Sequence, residues 1–180
     1  MKVKLSLVFV TVAVAVCFLI FNFRSFQPKD TEVEETMARV ELSAKEVATF
    51  FDDQKWVNYQ NKEAQFKFSQ VVEKKAVYVH LWASWCAPCL NEIPELISYA
   101  RKKKSSVQFV VVSLDESAEA LAKFLKSFPE LNDPMFIQVW DKSMAISKKF
   151  NADRLPMTIF VPLGSTQIKT ARSVVDWKSQ

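Results

Sequence analysis

The alternation of apolar and polar positions divides the chain beyond residue 40 into strands and helices. Runs of β-branched and aromatic residues predict buried strands at 76–82, 107–114 and 136–140. Apolar residues at helical spacing predict a helix after each of these strands, at 88–104, 117–128 and 142–150. Strands that alternate with helices indicate an α/β domain with a parallel sheet core covered on both faces.

Two further elements are predicted at the ends of this domain. Ser43 followed by Glu46 matches a capping box, and the apolar residues after it predict a short helix over 43–52. Near the other end, the runs 157–161 and 167–171 flank a Pro-Leu-Gly-Ser turn and predict a terminal β-hairpin.

The chain begins with a long apolar segment. Lys2 and Lys4 precede an uninterrupted run from residue 5 to residue 23, close to the roughly 20 residues that a membrane-spanning helix needs. We therefore predict an uncleaved signal-anchor over residues 1–23. Ala13-Val14-Ala15 also resembles a cleavage site, but cleavage there would leave an exposed apolar N-terminus.

Residues 24–40 are polar and acidic and predict a tether, which leaves residues 41–180 as the folded domain. The few charges that flank the apolar run, together with the export-type start, favour an extracytoplasmic position for this domain. That position bears on the cysteines, because disulfide chemistry persists outside the cytosol.

Composition and charge exclude several classes of function. A length of 180 residues with 49% apolar residues suits one domain with a sizeable core. The net charge of +4 is modest and the Lys residues are scattered, so no nucleic-acid partner is expected. The single Gly excludes glycine-rich phosphate loops and nucleotide-binding fingerprints.

The motif that carries chemistry is Trp85-Cys86-Ala87-Pro88-Cys89, which joins a predicted buried strand to a predicted helix. The unpaired N–H groups and the dipole at a helix start stabilise a thiolate, and thiolate is the attacking species in disulfide exchange. We therefore expect Cys86 to be the exposed nucleophile and Cys89, one turn later, to be the resolving thiol. Pro88 stiffens the turn, since a first-turn residue needs no N–H.

Three other interpretations of two cysteines at this spacing are less well supported. A zinc site would need two more ligands, and after the anchor the chain offers only His80 and no third cysteine. Haem attachment would need a His after Cys89, where Leu90 stands. A purely structural disulfide would close a very small loop and stabilise the domain little.

The segment from His80 to Cys89 resembles the active-site segment of thioredoxin-fold proteins. Leu90-Asn91-Glu92-Ile93-Pro94-Glu95-Leu96 resembles the TlpA/ResA branch of membrane-anchored thioredoxins, and the resemblance covers about residues 60–178. It implies a thioredoxin fold, with a central mixed β-sheet flanked by helices and an N-terminal transmembrane helix.

The resemblance also implies a thiol–disulfide oxidoreductase, anchored in the cytoplasmic membrane by a single span, with its catalytic domain on the periplasmic side. The expected substrates are disulfide-bearing exported proteins, among them apocytochromes c during cytochrome c maturation. A membrane thiol transporter is the expected electron donor. No metal or cofactor is expected besides the redox-active disulfide Cys86–Cys89.

Within this resemblance, Glu92 occupies the place of an active-site carboxylate that assists proton transfer at the buried thiol. The alternative is an ordinary acidic residue in the first turns of a helix, where the dipole favours negative charge. Pro94 matches the family's helix-interior proline, which removes a hydrogen bond and bends the helix.

Leu155-Pro156 matches the family's cis-proline loop, which lies beside the dithiol and pairs with a substrate strand. The resemblance therefore predicts a cis peptide bond at this position. It also implies a substrate-binding surface formed by Trp85, Ala87, Pro88, Leu155 and Pro156.

Two features depart from the family pattern. His80 stands where cytosolic thioredoxins have a buried Asp, and it is either a satisfied core residue or a titrating group beneath the dithiol. Residues 174–177 resemble the segment before the family's final helix, but Gln180 follows almost at once. We expect the sheet face that this helix would cover to be either exposed or covered by the 43–52 helix.

Three rival functions remain. The same fold works as an oxidase if its reduction potential is high, and sequence does not fix that potential. A peroxidase of the peroxiredoxin type would need a Pro-x-x-x-Thr-x-x-Cys context, which does not precede Cys86. A non-enzymatic anchored binding module would use the same surface and leave the dithiol incidental.

Overall fold

The computed structural model describes residues 42–180 of the chain. The anchor predicted over 1–23 and the tether predicted over 24–40 lie outside these residues. No helix within 42–180 combines the length and the apolar character needed to cross a membrane.

A five-stranded mixed sheet forms the centre of the domain, with the strand order β3-β2-β1-β4-β5. Strand β1 pairs in parallel with β2 and β2 in parallel with β3, whereas β4 is antiparallel to both β1 and β5. The strands are β1 (Ala76–Trp82), β2 (Val107–Ser113), β3 (Phe136–Trp140), β4 (Met157–Val161) and β5 (Lys169–Ala171). The mixed sheet is confirmed: β1, β2 and β3 form the predicted parallel core, and β4 and β5 form the predicted terminal hairpin.

Five α-helices and a 3₁₀ turn at Pro129–Asn132 connect and cover these strands. The helices are α1 (Ala44–Asp52), α2 (Phe68–Val72), α3 (Ala87–Lys103), α4 (Ala118–Ser127) and α5 (Ala145–Lys149). The capping box of α1 is confirmed, because Ser43 and Glu46 exchange side-chain and backbone hydrogen bonds. Helix α2 was not predicted, and α5 is shorter than the predicted 142–150.

The helices bury two separate apolar clusters, one on each face of the sheet. On the face that we call the dithiol face, α3 and α4 pack against strand residues such as Trp82 and Phe109. On the opposite face, α1, α2 and α5 pack against residues such as Val79 and Ile159. Consecutive residues of β1 alternate between the two clusters, as the period of a strand requires.

The end of the chain completes the dithiol face without a helix. Val175 and Trp177 are buried in the cluster on that face. Helix α1 belongs to the opposite cluster, so the expectation that the 43–52 helix covers the dithiol face was wrong. The alternative, an exposed sheet face, was also wrong, because the side chain of Trp177 covers this face.

Candidate active site

Cys86 and Cys89 form a disulfide at the start of α3. Strand β1 ends at Trp82, and a short loop leads to Cys86, which is the N-cap residue of the helix. The Cys89 backbone N–H donates to Cys86 Sγ at 3.3 Å, so this sulfur accepts from one of the N–H groups that the helix start leaves unpaired. The predicted placement of the dithiol at a helix N-terminus is confirmed.

The two cysteines are less exposed than the sequence suggested. Cys86 is 5% exposed and Cys89 is 0% exposed, so the expectation of an exposed Cys86 was wrong for this disulfide-bonded state. Both sulfurs pack into the apolar cluster of the dithiol face. Of the two, only Cys86 keeps any exposed surface, and the residues around it, Trp85, Ala87 and Pro88, are exposed.

A buried carboxylate holds the loop that precedes the dithiol. Asp115 accepts the Ser84 backbone N–H at 3.0 Å and the Ser84 hydroxyl at 2.6 Å. The Ser113 hydroxyl donates to the other carboxylate oxygen at 2.7 Å. Sequence reasoning did not single out Asp115, although an acidic residue directly after a buried strand was a signal that it serves a site at the sheet edge.

Glu92 is buried on the dithiol face, with 3% of its surface exposed. The Trp177 indole Nε1 donates to Glu92 Oε1 at 2.9 Å, and Glu92 Oε2 has no hydrogen-bond partner within the described residues. Burial raises the pKa of this carboxyl, and the indole hydrogen bond offsets only part of that rise. Glu92 is therefore not an exposed acid at a helix start, and its part in proton transfer stays a prediction.

His80 lies next to this carboxyl, on β1. Its Nδ1 is 3.0 Å from Thr158 Oγ1 and 3.7 Å from Glu92 Oε1. Burial lowers the pKa of His80 to about 3, so the ring is neutral at physiological pH, as expected of a core residue. It is not a fully satisfied one, because Nε2 has no hydrogen-bond partner in the described part of the chain.

Trp177 is a second residue of this site, after Asp115, that sequence reasoning missed. It comes from the C-terminal segment and reaches Glu92 across 85 positions of sequence. A Trp near the end of the chain, in a segment with no helical periodicity, was the one available signal. Burial of a large aromatic residue whose N–H needs a partner is a common reason for such a placement.

The Leu155–Pro156 peptide bond is cis, as predicted. Leu155 is half-buried and packs against the cluster that contains both cysteines. Pro94 lies inside α3, also as predicted. Within residues 42–180 no three His, Cys, Asp or Glu side chains are grouped so that they could hold a metal ion.

The chain matches a protein family and thiol-disulfide oxidoreductases of known name. The model of the Redoxin family matches residues 43–162. The thiol-disulfide oxidoreductase ResA of Bacillus subtilis (strain 168) is 31% identical over 88 residues, which are 48% of this chain and 47% of ResA. The match thus spans about half the length of this relative.

Solved structures with the same fold share less sequence. A secreted Mycobacterium tuberculosis disulfide oxidoreductase, described as homologous to E. coli DsbE, matches with a TM-score of 0.58 and 19% identity, over 70% of this chain and 90% of that one. The exposed lipoprotein thioredoxin of Streptococcus pneumoniae strain TIGR4 has a TM-score of 0.54 and 19% identity, over 69% and 92%. These likenesses confirm the predicted thioredoxin fold.

Proposed function

Because the chain belongs to the Redoxin family and carries a Cys86–Cys89 disulfide at a helix start, we propose that it is a thiol–disulfide oxidoreductase that works as a reductase. The observation that carries the exchange chemistry is the asymmetry of the dithiol, and the reductase direction is proposed from the family resemblance. Cys86 caps the helix and keeps the only exposed surface of the pair, whereas Cys89 is fully buried one turn later. That arrangement suits a nucleophile backed by a resolving thiol.

The proposed reaction transfers two electrons from the enzyme dithiol to the substrate disulfide. The Cys86 thiolate attacks one sulfur of a substrate disulfide, and the other substrate sulfur leaves as a thiolate. Cys89 then loses its proton and attacks Cys86 Sγ, which forms the Cys86–Cys89 disulfide and releases the second substrate thiolate. The substrate is reduced and the enzyme oxidised, so a dithiol donor must reduce the enzyme again.

Glu92 is the proposed acceptor of the Cys89 proton. It stands three residues after Cys89, on the same side of α3, and both are buried in the dithiol face. A carboxyl whose pKa is raised by burial binds a proton more readily at neutral pH than an exposed one. When Cys89 attacks, its proton moves to Glu92, and the neutral acid that results is the form which burial favours.

The substrates and the location are proposed from the family resemblance. We propose that the protein reduces disulfides in exported proteins, with apocytochromes c as one class. The electron donor is a membrane thiol transporter, and residues 1–23 anchor the domain on the periplasmic side of the cytoplasmic membrane. The similarity to the thiol-disulfide oxidoreductase ResA supports the disulfide chemistry in this assignment. The redox centre in this scheme is the disulfide alone, without a metal or cofactor.

A trapping experiment tests the proposal. The full-length Cys89→Ala variant lacks the resolving thiol and should accumulate reducible covalent adducts with partners, whereas Cys86→Ala should accumulate far fewer. Mass spectrometry of the adducts identifies the substrate class. Equal trapping by both variants would contradict the assigned roles, and no adducts from either would favour the binding-module interpretation.

Measurement of the reduction potential separates the reductase from the oxidase. Potentials of proteins with this chemistry run from about −270 mV for reductants to about −120 mV for strong oxidants. A reductase requires a value near the lower end. A value near the upper end would assign the same dithiol to disulfide formation.

A further inference from the structure

The Glu92 carboxyl has one bonded oxygen and one free oxygen within residues 42–180. Trp177 Nε1 donates to Oε1, whereas Oε2 is buried without a partner. An indole N–H can only donate, so Oε1 must act as an acceptor. The carbonyl oxygen of an acid is the better acceptor, so Oε2 is the favoured position for a proton bound to this carboxyl. The Val175 backbone N–H also lowers the pKa of the carboxyl, without reaching hydrogen-bond geometry.

Packing fixes the direction of the indole. Trp177 is 2% exposed, and its ring centroid lies 5.4 Å from that of Tyr99 and 5.5 Å from that of Phe109. The next residue, Lys178, pairs with Glu95 at 2.6 Å on the surface of α3. The buried aromatic rings around Trp177 therefore hold its indole N–H towards the Glu92 carboxyl. The Lys178–Glu95 pair also ties the C-terminal segment to α3, the helix that carries Glu92.

The surroundings of Glu92 otherwise favour its neutral form. His80 Nδ1 lies 3.7 Å from Oε1, beyond hydrogen-bond distance, and burial keeps the imidazole neutral. The negative charge of Glu95 raises the pKa of Glu92 further. Among titratable and charged groups, His80 and Glu95 act on Glu92 directly, and Tyr78 and Tyr99 pack on Trp177. Cys89 precedes Glu92 by three residues on α3, and Asp176 and Lys178 flank Trp177 in the chain.

We propose that Trp177 is a positioning residue that sets the proton affinity of Glu92 and directs its proton exchange to Oε2. A hydrogen bond donated to a carboxylate stabilises the charged form more than the neutral one. The indole therefore keeps Glu92 ionisable in a site where burial favours the acid. The inference rests on the proposed function, in which Glu92 receives the proton that Cys89 loses.

The direct test is a titration of the Glu92 side-chain carboxyl by ¹³C NMR in the full-length oxidised protein, with Glu92→Gln to assign the signal. Trp177→Phe removes the N–H and keeps an aromatic ring, and it should increase the proton affinity of Glu92 about tenfold, a rise of about one pH unit in the midpoint. An unchanged or lowered midpoint would overturn the proposal.

A matched control is available on the opposite face. Trp56 is also buried and donates its indole N–H to the Phe51 carbonyl at 2.8 Å, within the other apolar cluster. Trp56→Phe loses a buried indole hydrogen bond of the same kind and should leave the Glu92 midpoint in place. A shift of equal size in this control would mean that the effect comes from loosened packing, which contradicts the proposal.

A measurement on the unmodified protein covers the case in which Trp177→Phe does not fold. The indole N–H resonance of Trp177 should titrate with the same midpoint as the Glu92 carboxyl, because ionisation strengthens the hydrogen bond. A Trp177 resonance that does not respond while Glu92 titrates would overturn the inference.

The pH profile of disulfide exchange separates this inference from the proposed function. If Glu92→Gln changes the profile and Trp177→Phe does not, the proton-transfer role of Glu92 stands and the inference about Trp177 fails. If Trp177→Phe moves the Glu92 midpoint while Glu92→Gln leaves exchange unchanged, the proton-transfer role fails and the effect of the indole on proton affinity stands.

Discussion

The two helix layers of the sheet each hold a buried carboxyl group, and the two groups are bonded differently. At the start of α5, on the opposite face, the oxygens of Asp141 accept the backbone N–H groups of Ala145 and Ser147 at 2.8 and 2.9 Å. On the dithiol face, Glu92 accepts one hydrogen bond from residues 42–180, and Oε2 has no partner among them. Burial raises the pKa of both carboxyls.

We propose that this difference separates a carboxyl that serves the fold, Asp141, from one that serves the chemistry, Glu92. Asp141 satisfies the N–H groups of a helix start, an ordinary structural use of a buried acid. A buried polar atom without a partner costs on the order of 1–3 kcal/mol, and stability offers no reason for the chain to keep one in Glu92. The proposed role of Glu92 as proton acceptor for Cys89 does offer a reason, and each substitution below tests this contrast.

The largest effect is expected from Glu92→Gln, which removes the proton site and preserves the shape of the side chain. The exchange rate at neutral pH should fall by about 10²–10⁴-fold, the usual contribution of a general acid–base group. Single-turnover reduction of a protein disulfide measures this rate. An unchanged rate would leave Glu92 without a catalytic role.

The same variant should not lose stability at neutral or higher pH. The pKa of Glu92 is raised in the folded state, so its contribution to stability is full below the unfolded pKa and is lost as pH rises through the folded one. Glu92→Gln should therefore be at least as stable as the wild type at pH 8. A large loss of stability there would mean that the carboxylate is structural.

Asp141→Ala is the counterpart on the other helix layer. It should lower the free energy of unfolding by about 2–3 kcal/mol, because two N–H groups of α5 lose their acceptor. The exchange rate per folded molecule should be unchanged. Chemical denaturation and the exchange assay measure the two quantities, and slowed exchange with intact stability would reverse the contrast between the two carboxyls.

A smaller effect, on the pH dependence of the free energy of unfolding, is expected from His80. Its pKa of about 3 in the folded state lies below the unfolded value of about 6.5, so the unfolded chain binds the extra proton between these limits. Relative to His80→Asn, the wild type should lose about 1.4 kcal/mol of stability per pH unit as pH falls through this window. NMR titration of the ring checks the cause, and a midpoint at or above 6.5 would contradict the burial of a neutral imidazole.

Much of the fold could be predicted because its signals are local. The strands β1, β3 and β4 were predicted with their observed bounds, since each is a short apolar run between polar turns. The start of α5 was missed by three residues because Asp141 caps Ala145 and because Met144 adopts a left-handed conformation with φ of 56°. Neither feature shows in the spacing of apolar residues, from which the helix was predicted.

In the candidate site, too, the residues with local sequence signals could be predicted and those placed by long-range contacts could not. The positions of Cys86 and Cys89 follow from a spacing of three residues and one helix start, so the sequence is sufficient to predict them. Glu92 is hydrogen-bonded to Trp177, and Asp115 is hydrogen-bonded to Ser84 in the dithiol loop, two contacts between residues far apart in the chain. Such contacts arise from sheet order and helix packing, which residue patterns describe only coarsely.

The most direct test of the account is the rate of alkylation of each thiol in the reduced protein as a function of pH, resolved by mass spectrometry. The helix start stabilises a thiolate on Cys86, so Cys86 should react at lower pH than an ordinary cysteine, whose pKa is about 8.5. The buried Cys89 should react slowly and only at higher pH. Equal reactivity of the two thiols at every pH would contradict the assignment of Cys86 as nucleophile and Cys89 as resolving thiol.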